Sequence, residues 1–477
     1  MINQVENCKV SNMSAGYQNE FDRENGISSI IDTLGGSNIT QVFVHSVTSL
    51  ENITELTETV TGLEKYPERS LLVARPDDLV CVVDKVDNQY LQFLSKLGIG
   101  LSNKNIIVAS KDFQQDSDAT LSDLLMSNCE ALLAIRNLVK RNKKIVLNPY
   151  IASPKEFKLV AILETILGRK VHILGGNSDI VDYANHKHNV RAKALELGLP
   201  VPEGDVVVLQ VDGDGKPLDL TPMQTAIHRF INKTGRVLIK GSVGASGTSL
   251  VIAENNPESI QKALGEIAGR IDNMIYLVEV MFDVVVSPNV LMYIDPDYNR
   301  ITSVSVTDQI LSDDLMHEGN IYPSTATTLN EMLLSAEKLS LWLQAEGYSG
   351  LVGFDFGEYY NTEKGQFGHF LAEVNPRTNA ATYSKSLMEH LNRNQKKRGG
   401  PYIEAFLSAN IKTNARSFAQ LREWYGHLFF NPKIGKGLVP YNIGCLRYGK
   451  FTLAVFGRSR NEVMEMYEDF KILSTKE

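Results

Sequence analysis

The stretch GLVGFDFGEYYNTEKGQFGHFLAEVNPR, residues 350–377, decides the fold. Strand side chains change face at every residue, so 350–360 puts Gly353, Asp355 and Gly357 on one face and Phe354 and Phe356 on the other. Residues 369–377 alternate in the same way, with Leu371, Glu373 and Asn375 on one face and Phe370, Ala372 and Val374 on the other. The intervening NTEKGQ (361–366) predicts a hairpin that brings Asp355, Glu373 and Asn375 into one patch. Two carboxylates and an amide oxygen are the hard ligands that suit Mg²⁺ carrying nucleotide phosphates. Without a cation the carboxylates would repel and one pKa would rise. The same alternation could form the outer face of an ordinary sheet, but the small residues beside Asp355 then have no explanation. Arg377, two residues past Asn375, is placed to meet a phosphate or acyl-phosphate oxygen.

About 110 residues upstream lies RVLIKGSVGASGTSLVIAE (236–254). Two short β-branched runs flank a loop of Gly and small residues: Gly241, Ser242, Gly244, Ala245, Ser246, Gly247, Thr248 and Ser249. Small side chains let backbone N–H groups close on an anion, and Lys240 at the end of the first run adds an ammonium. The loop joins strand to strand, so neither a Walker A loop nor a dinucleotide fingerprint fits, since both lead into a helix.

Around these motifs the chain has the composition of a globular protein: 477 residues, 43% hydrophobic and 22% charged. Its length predicts about three domains. A net charge of −8 argues against nucleic acid as a partner. Cys8, Cys81, Cys129 and Cys445 are scattered, which suits a reducing cytoplasm. No run of about 18 apolar residues predicts a membrane span. From residue 40, apolar runs alternate with helical patterns. TQVFVHS (40–46), SLLVARP (70–76), LVCVVDK (79–85), NIIVAS (105–110) and KKIVLNPY (143–150) read as strands. NQYLQFLSKLG (88–98) and 121–141 read as helices, so a parallel sheet is expected. At 153–156, Ser153, Pro154 and Glu156 predict a capped helix start. FTLAVFG (451–457) and 459–473 read as a terminal strand and helix.

The lysine–glycine loop followed by GFDF…AEVNPR resembles the ATP-grasp family over roughly 180–385. The wording of 69–100, 307–324 and 435–470 further resembles the pheganomycin-type group of ATP-grasp peptide ligases. The resemblance implies an α/β and α+β architecture. Residues 1–152 would form an N-terminal pre-ATP-grasp α/β domain, 153–401 the ATP-grasp domain, and 402–477 a small C-terminal α+β domain. It implies ATP and Mg²⁺ as cofactors, with Mn²⁺ as a substitute. Lys187, Lys240, Ser242, Gly244, Ser246 and Gly247 would hold the nucleotide. In MIYLVEVMFD (274–283), Glu279 would accept from the adenine amino group while Val280 and Met281 pair with the ring edge. Ser287 or Asn289 would serve the ribose. Asp355, Glu373 and Asn375 would hold the metal, and Arg377 and Lys240 would act on the transferring phosphoryl group. His186 and His188 lack a third ligand nearby and carry no metal assignment.

The expected reaction activates a carboxylate as an acyl phosphate and passes it to an amine. The partners are then small-molecule carboxylate and amine substrates, with neither nucleic acid nor membrane, and the outer domains would suit a homodimer. Two other readings keep the nucleotide site: a small-molecule kinase, whose acceptor is a hydroxyl, and a non-catalytic nucleotide sensor.

Overall fold

The structure is a computed structural model and describes residues 20–36, 38–50, 61–110, 119–243, 250–270, 274–297 and 300–474. Three sheets organise it. The first is parallel and five-stranded, in the spatial order Ile106–Val108, Leu79–Val82, Ile39–Val44, Lys144–Pro149 and Val171–Ile173. Its strands are short apolar runs, such as Leu79, Val80, Cys81 and Val82, all buried, as a sheet covered on both faces requires. Helix Pro154–Leu167 starts as its sequence predicts. The Ser153 hydroxyl accepts from Lys155 N–H, and the Glu156 carboxylate accepts from Ser153 N–H at 3.1 Å.

Two expectations for this region are corrected. SLLVARP forms no strand. Leu63–Leu72 is a run of 3₁₀ helix, with Pro67 inside it and Ser70 Oγ donating to the Pro67 carbonyl at 2.6 Å. Leu71 and Leu72 are fully buried, and a short apolar run satisfies a buried helix as well as a buried strand. The helical pattern of 121–141 is two helices, Leu121–Ser127 and Cys129–Leu138, because Asn128 stops the first and caps the second through Ala131 N–H.

The second sheet is small and antiparallel: Gly204–Val208, Ile275–Val280, Arg236–Gly241 and Leu250–Glu254. Helices Thr221–Thr234 and Pro257–Ala268 cover it around a core of its own that includes Phe230, Ile239, Leu264 and Val278.

The third sheet has nine strands. Val284–Val286, Gly350–Asn361, Pro288–Ile294, Ile301–Leu311, His317–Tyr322, Ala405–Lys412, Lys450–Gly457 and Gly437–Tyr441 follow in that order, and Gln366–Asn375 pairs with Gly350–Asn361. Strands from both sides of residue 402 therefore share one sheet, with the terminal helix Arg460–Ser474 packed on it. One core joins Leu72, Val80 and Tyr90 near the N-terminus to Phe406, Leu438 and Phe456 near the C-terminus, with Tyr383 and Leu387 of helix Ala380–Arg398 between them. Among the described residues no helix is long and apolar enough to cross a membrane.

Glu68 ties the two ends of the chain together. Its buried carboxylate accepts from Gly444 N–H at 2.7 Å, and burial pushes its pKa up to about 7. A carboxyl with a raised folded pKa costs stability as pH climbs through the window between its unfolded value and about 7. Glu68→Gln should therefore melt with the wild type at pH 5, where Glu68 is protonated in the folded state. At pH 8.5 it should be more stable, by up to ~3 kcal/mol. Thermal denaturation at the two pH values checks this.

Candidate nucleotide and metal site

The acidic hairpin forms in the expected place. Asp355 and Glu373 are direct cross-strand partners, and Gly353 faces Asn375. Gly353 is required by crowding: a Cβ there would lie 3.1 Å from Asn289 Nδ2 and 3.2 Å from Asn379 Nδ2. The small residues beside Asp355 thus make room for amides.

The expected alternation holds only down to Glu373. Asp355 pairs with Glu373 but Phe356 pairs with Leu371, which leaves Ala372 as an extra residue. Leu371, expected on the polar face, lies in the core beside Phe354 and Phe356, whereas Phe370 turns to the cleft. A bulge cannot be read from period-two alternation.

Asp355 is the centre of a chain of hydrogen bonds. Asn289 Nδ2 donates to its Oδ1 at 2.5 Å and Asn375 Nδ2 to its Oδ2 at 2.8 Å. Asn379 Nδ2 donates to Asn289 Oδ1, and Arg377 Nη1 donates to Asn375 Oδ1. The Asn375 oxygen, expected as a metal ligand, is thus engaged by Arg377. Burial, then the Glu373 carboxylate beside it, pushes the Asp355 pKa up to about 7. Two adjacent carboxylates, one of them half-buried and with its pKa raised, form an oxygen donor set of the kind that fits Mg²⁺.

Facing this patch are two lysines. Lys187 is 91% buried and its Nζ lies 3.3 Å from Glu373 Oε1. Lys240 Nζ lies 2.7 Å from Glu279 Oε2, and Arg191 Nη1 lies 2.6 Å from Glu279 Oε1. Lys187, Lys240, Ser287, Asn289, Asp355, Glu373, Asn375 and Arg377 line one cleft of about 270 Å³. A narrow side pocket lined by Lys187, Arg191, Lys240 and Glu279 adjoins it.

The expected hinge contacts need correction. The Glu279 carboxylate is ion-paired with both Arg191 and Lys240, a partnership beyond the adenine contact expected of it. The N–H of Val280 donates to the Glu203 carbonyl and that of Met281 to the Arg236 carbonyl, so neither amide faces the cleft. Ser242 uses its hydroxyl on the histidine pair, 2.5 Å from His188 Nδ1 and 3.4 Å from His186 Nδ1. Gly244, Ser246 and Gly247 lie outside the described residues, between strands whose ends Lys240 and Leu250 are paired.

Several site residues have roles that the sequence did not show. Asn289, considered for ribose, instead pairs with Asp355 across the sheet. Asn379 caps helix Ala380–Arg398 through Thr382 N–H and reaches the same network. A polar row crosses the third sheet: Glu373, Asp355, Asn289 and Thr307 are successive cross-strand partners, then Gln309, Asn320 and Ser408, then Asn410 and Thr452. Its other members lie 18 to 163 residues from Asn289, which no local spacing reports.

Residues 67–165 match the family described as the Pre ATP-grasp domain. The whole fold is similar to carboxyaminoimidazole ribonucleotide synthase from Aspergillus clavatus complexed with ATP. That likeness has a TM-score of 0.51 at 12% identity and covers 92% of this chain and 99% of the other. It is also similar to a biotin carboxylase–ATP-analogue complex from Campylobacter jejuni, with a TM-score of 0.51 at 12% identity over 89% of each chain. An ADP complex of N5-carboxyaminoimidazole ribonucleotide synthetase gives 0.50 at 12% identity over 91% and 96%. No curated protein matches the chain by sequence. At such identities the likeness concerns the fold, and this fold is ATP-grasp with a pre-ATP-grasp α/β region before it.

Proposed function

We propose that the protein is an ATP-dependent carboxylate–amine ligase that forms an amide through an acyl phosphate. The observation that carries this reading is the pairing of Asp355 and Glu373 across one cleft from Lys187 and Lys240. Asp355 and Glu373 would hold Mg²⁺, which neutralises charge on the phosphates of bound ATP. Lys240 and Arg377, which line the cleft, would stabilise the equatorial oxygens of the γ-phosphoryl group. A carboxylate oxygen of the substrate bonds to that phosphorus as its bond to ADP breaks. The amine lone pair then attacks the acyl carbon, the C–O bond to phosphate breaks, and phosphate leaves with the electron pair. His317 lines the cleft, and burial lowers its pKa, so it is a neutral base available for the proton lost by the nitrogen.

Hydroxylamine tests the reading, because it traps an acyl phosphate as a hydroxamate. Supplied with MgATP and mixed amino acids and small carboxylic acids, the protein should release ADP and form hydroxamate in equal amounts. ADP release with a phosphorylated alcohol and no hydroxamate would make it a kinase. Nucleotide binding without substrate-dependent ADP release would make it a sensor.

A further inference from the structure

A second cavity, of about 160 Å³, opens beyond Arg377 and is separated from the nucleotide cleft by Tyr150, His317, Asn320 and Ala380, which line both. Its floor continues the polar row through Ser408, Asn410 and Thr452. Arg69, from the 3₁₀ run that the sequence reading took for a strand, enters its wall.

Arg69 is 94% buried, and among the described residues it forms no ion pair. The other buried cations all have carboxylates: Lys65 has Asp84, Lys187 has Glu373, Arg191 and Lys240 share Glu279, and Lys385 has Asp22. Arg69 has tyrosines instead: its guanidinium carbon lies 5.0 Å from the Tyr66 centroid, 4.9 Å from Tyr150 and 4.3 Å from Tyr383, and the Tyr150 and Tyr383 hydroxyls are its polar partners among the described residues. Rings ease a buried cation but accept few of its hydrogen bonds. Among the described residues Arg69 Nε and Nη2 accordingly have no hydrogen-bond partner. Among the described residues on the same cavity, Arg377 Nε and Asn320 Nδ2 are also unpartnered, against one unpartnered acceptor, Asn442 Oδ1. Buried donors left without acceptors are costly, and a guanidinium keeps its charge at any ordinary pH. An excess of donors around a permanent cation is the complement of an anion. The Tyr150 phenol bears the same imprint: burial raises its pKa, yet Arg377 and Arg69 outweigh that and hold it below the ordinary value.

We propose that this cavity seats an amino-acid-sized co-substrate whose non-reacting carboxylate is received by Arg69, leaving its reactive end toward Arg377. The proposal rests on the ligase reading and adds the class of acceptor: a free amino acid, so that the product keeps a carboxyl end. The volume sets the size, for it lies well below the ~300–1,000 Å³ typical of sites for larger ligands. A bidentate guanidinium also distinguishes carboxylate from carboxamide, which offers one acceptor and an intruding donor pair.

The test uses the full-length protein with Mg²⁺ and a non-hydrolysable ATP analogue, and measures binding of pooled small α-amino acids and of their carboxamides. Wild type should bind at least one acid tenfold or more tightly than its amide. Arg69→Met should lose that preference while its Kd for the ATP analogue stays within about twofold, which shows that the variant is folded. Arg69→Lys should keep part of the preference. Equal binding of acid and amide, no binding of either, or undiminished preference in Arg69→Met would overturn the proposal. In turnover, Arg69→Met should spare hydroxamate formation and impair ligation if the carboxylate belongs to the acceptor. Impaired hydroxamate formation would overturn the acceptor assignment, since the carboxylate would then belong to the donor. A missing hydroxamate with intact acid preference would sink the ligase reading and leave the cavity assignment standing.

Discussion

Asp355→Asn is expected to lower substrate-dependent ADP release by at least ~10³-fold while leaving the melting temperature unchanged or raised. The loss corresponds to about 4 kcal/mol of transition-state stabilisation, within what one metal ligand supplies. The stability half follows from the geometry. Asp355 is half-buried beside Glu373, and its pKa of about 7 means that its charge opposes folding above the ordinary carboxylate range. Removing the charge relieves that repulsion, and the amide keeps one oxygen for the Asn289 or Asn375 donor. Stability and activity should therefore move in opposite directions or not together. ADP release within tenfold of wild type would exclude Asp355 from the metal seat. A melting temperature lowered by many degrees would mean that its ionised form holds the hairpin together.

Glu279→Ala should produce the largest stability change. It leaves Lys240 and Arg191, both more than 90% buried, facing one another without an anion. Removing one partner of a buried pair costs ~3–5 kcal/mol, a large part of the total stability of an ordinary protein. Lys240→Met should be milder, because Glu279 keeps Arg191, yet it should weaken nucleotide binding more. ATP should recover part of the Glu279→Ala loss, since a bound triphosphate supplies the missing negative charge. Thermal denaturation with and without MgATP compares the three proteins. Had Glu279 served to read adenine, its replacement would alter the preference for ATP over GTP and spare the melting temperature.

These two sites mark how far the sequence could be read. Asp355 and Glu373 were legible because strands alternate and the hairpin between them is short, so their pairing is a local fact. The Ser153 cap was legible for the same reason, since its reciprocal bonds span three residues. Lys240 was visible from the loop that follows it, but its partnership with Glu279 and Arg191 was not, because it is made across three separate elements. The bulge at Ala372 was hidden since it changes the register without changing the composition. Arg69 was hidden more deeply. Its segment is an apolar run too short for periodicity to decide, and its meaning comes from tyrosines 3, 81 and 314 residues away.

On the proposed reading, the polar row across the third sheet would serve as a gauge. Adjacent strands are held ~4.8 Å apart, so four steps from Asp355 to Ser408 measure about 19 Å along a rigid slab. Adding one residue to a substrate lengthens it by ~3.5 Å, less than one step. A relative with a longer or shorter substrate would therefore need only different side chains on Ala405–Lys412 and Lys450–Gly457, while the acidic end stayed as it is. Reach and chemistry could then diverge independently, because they occupy opposite ends of the same ruler.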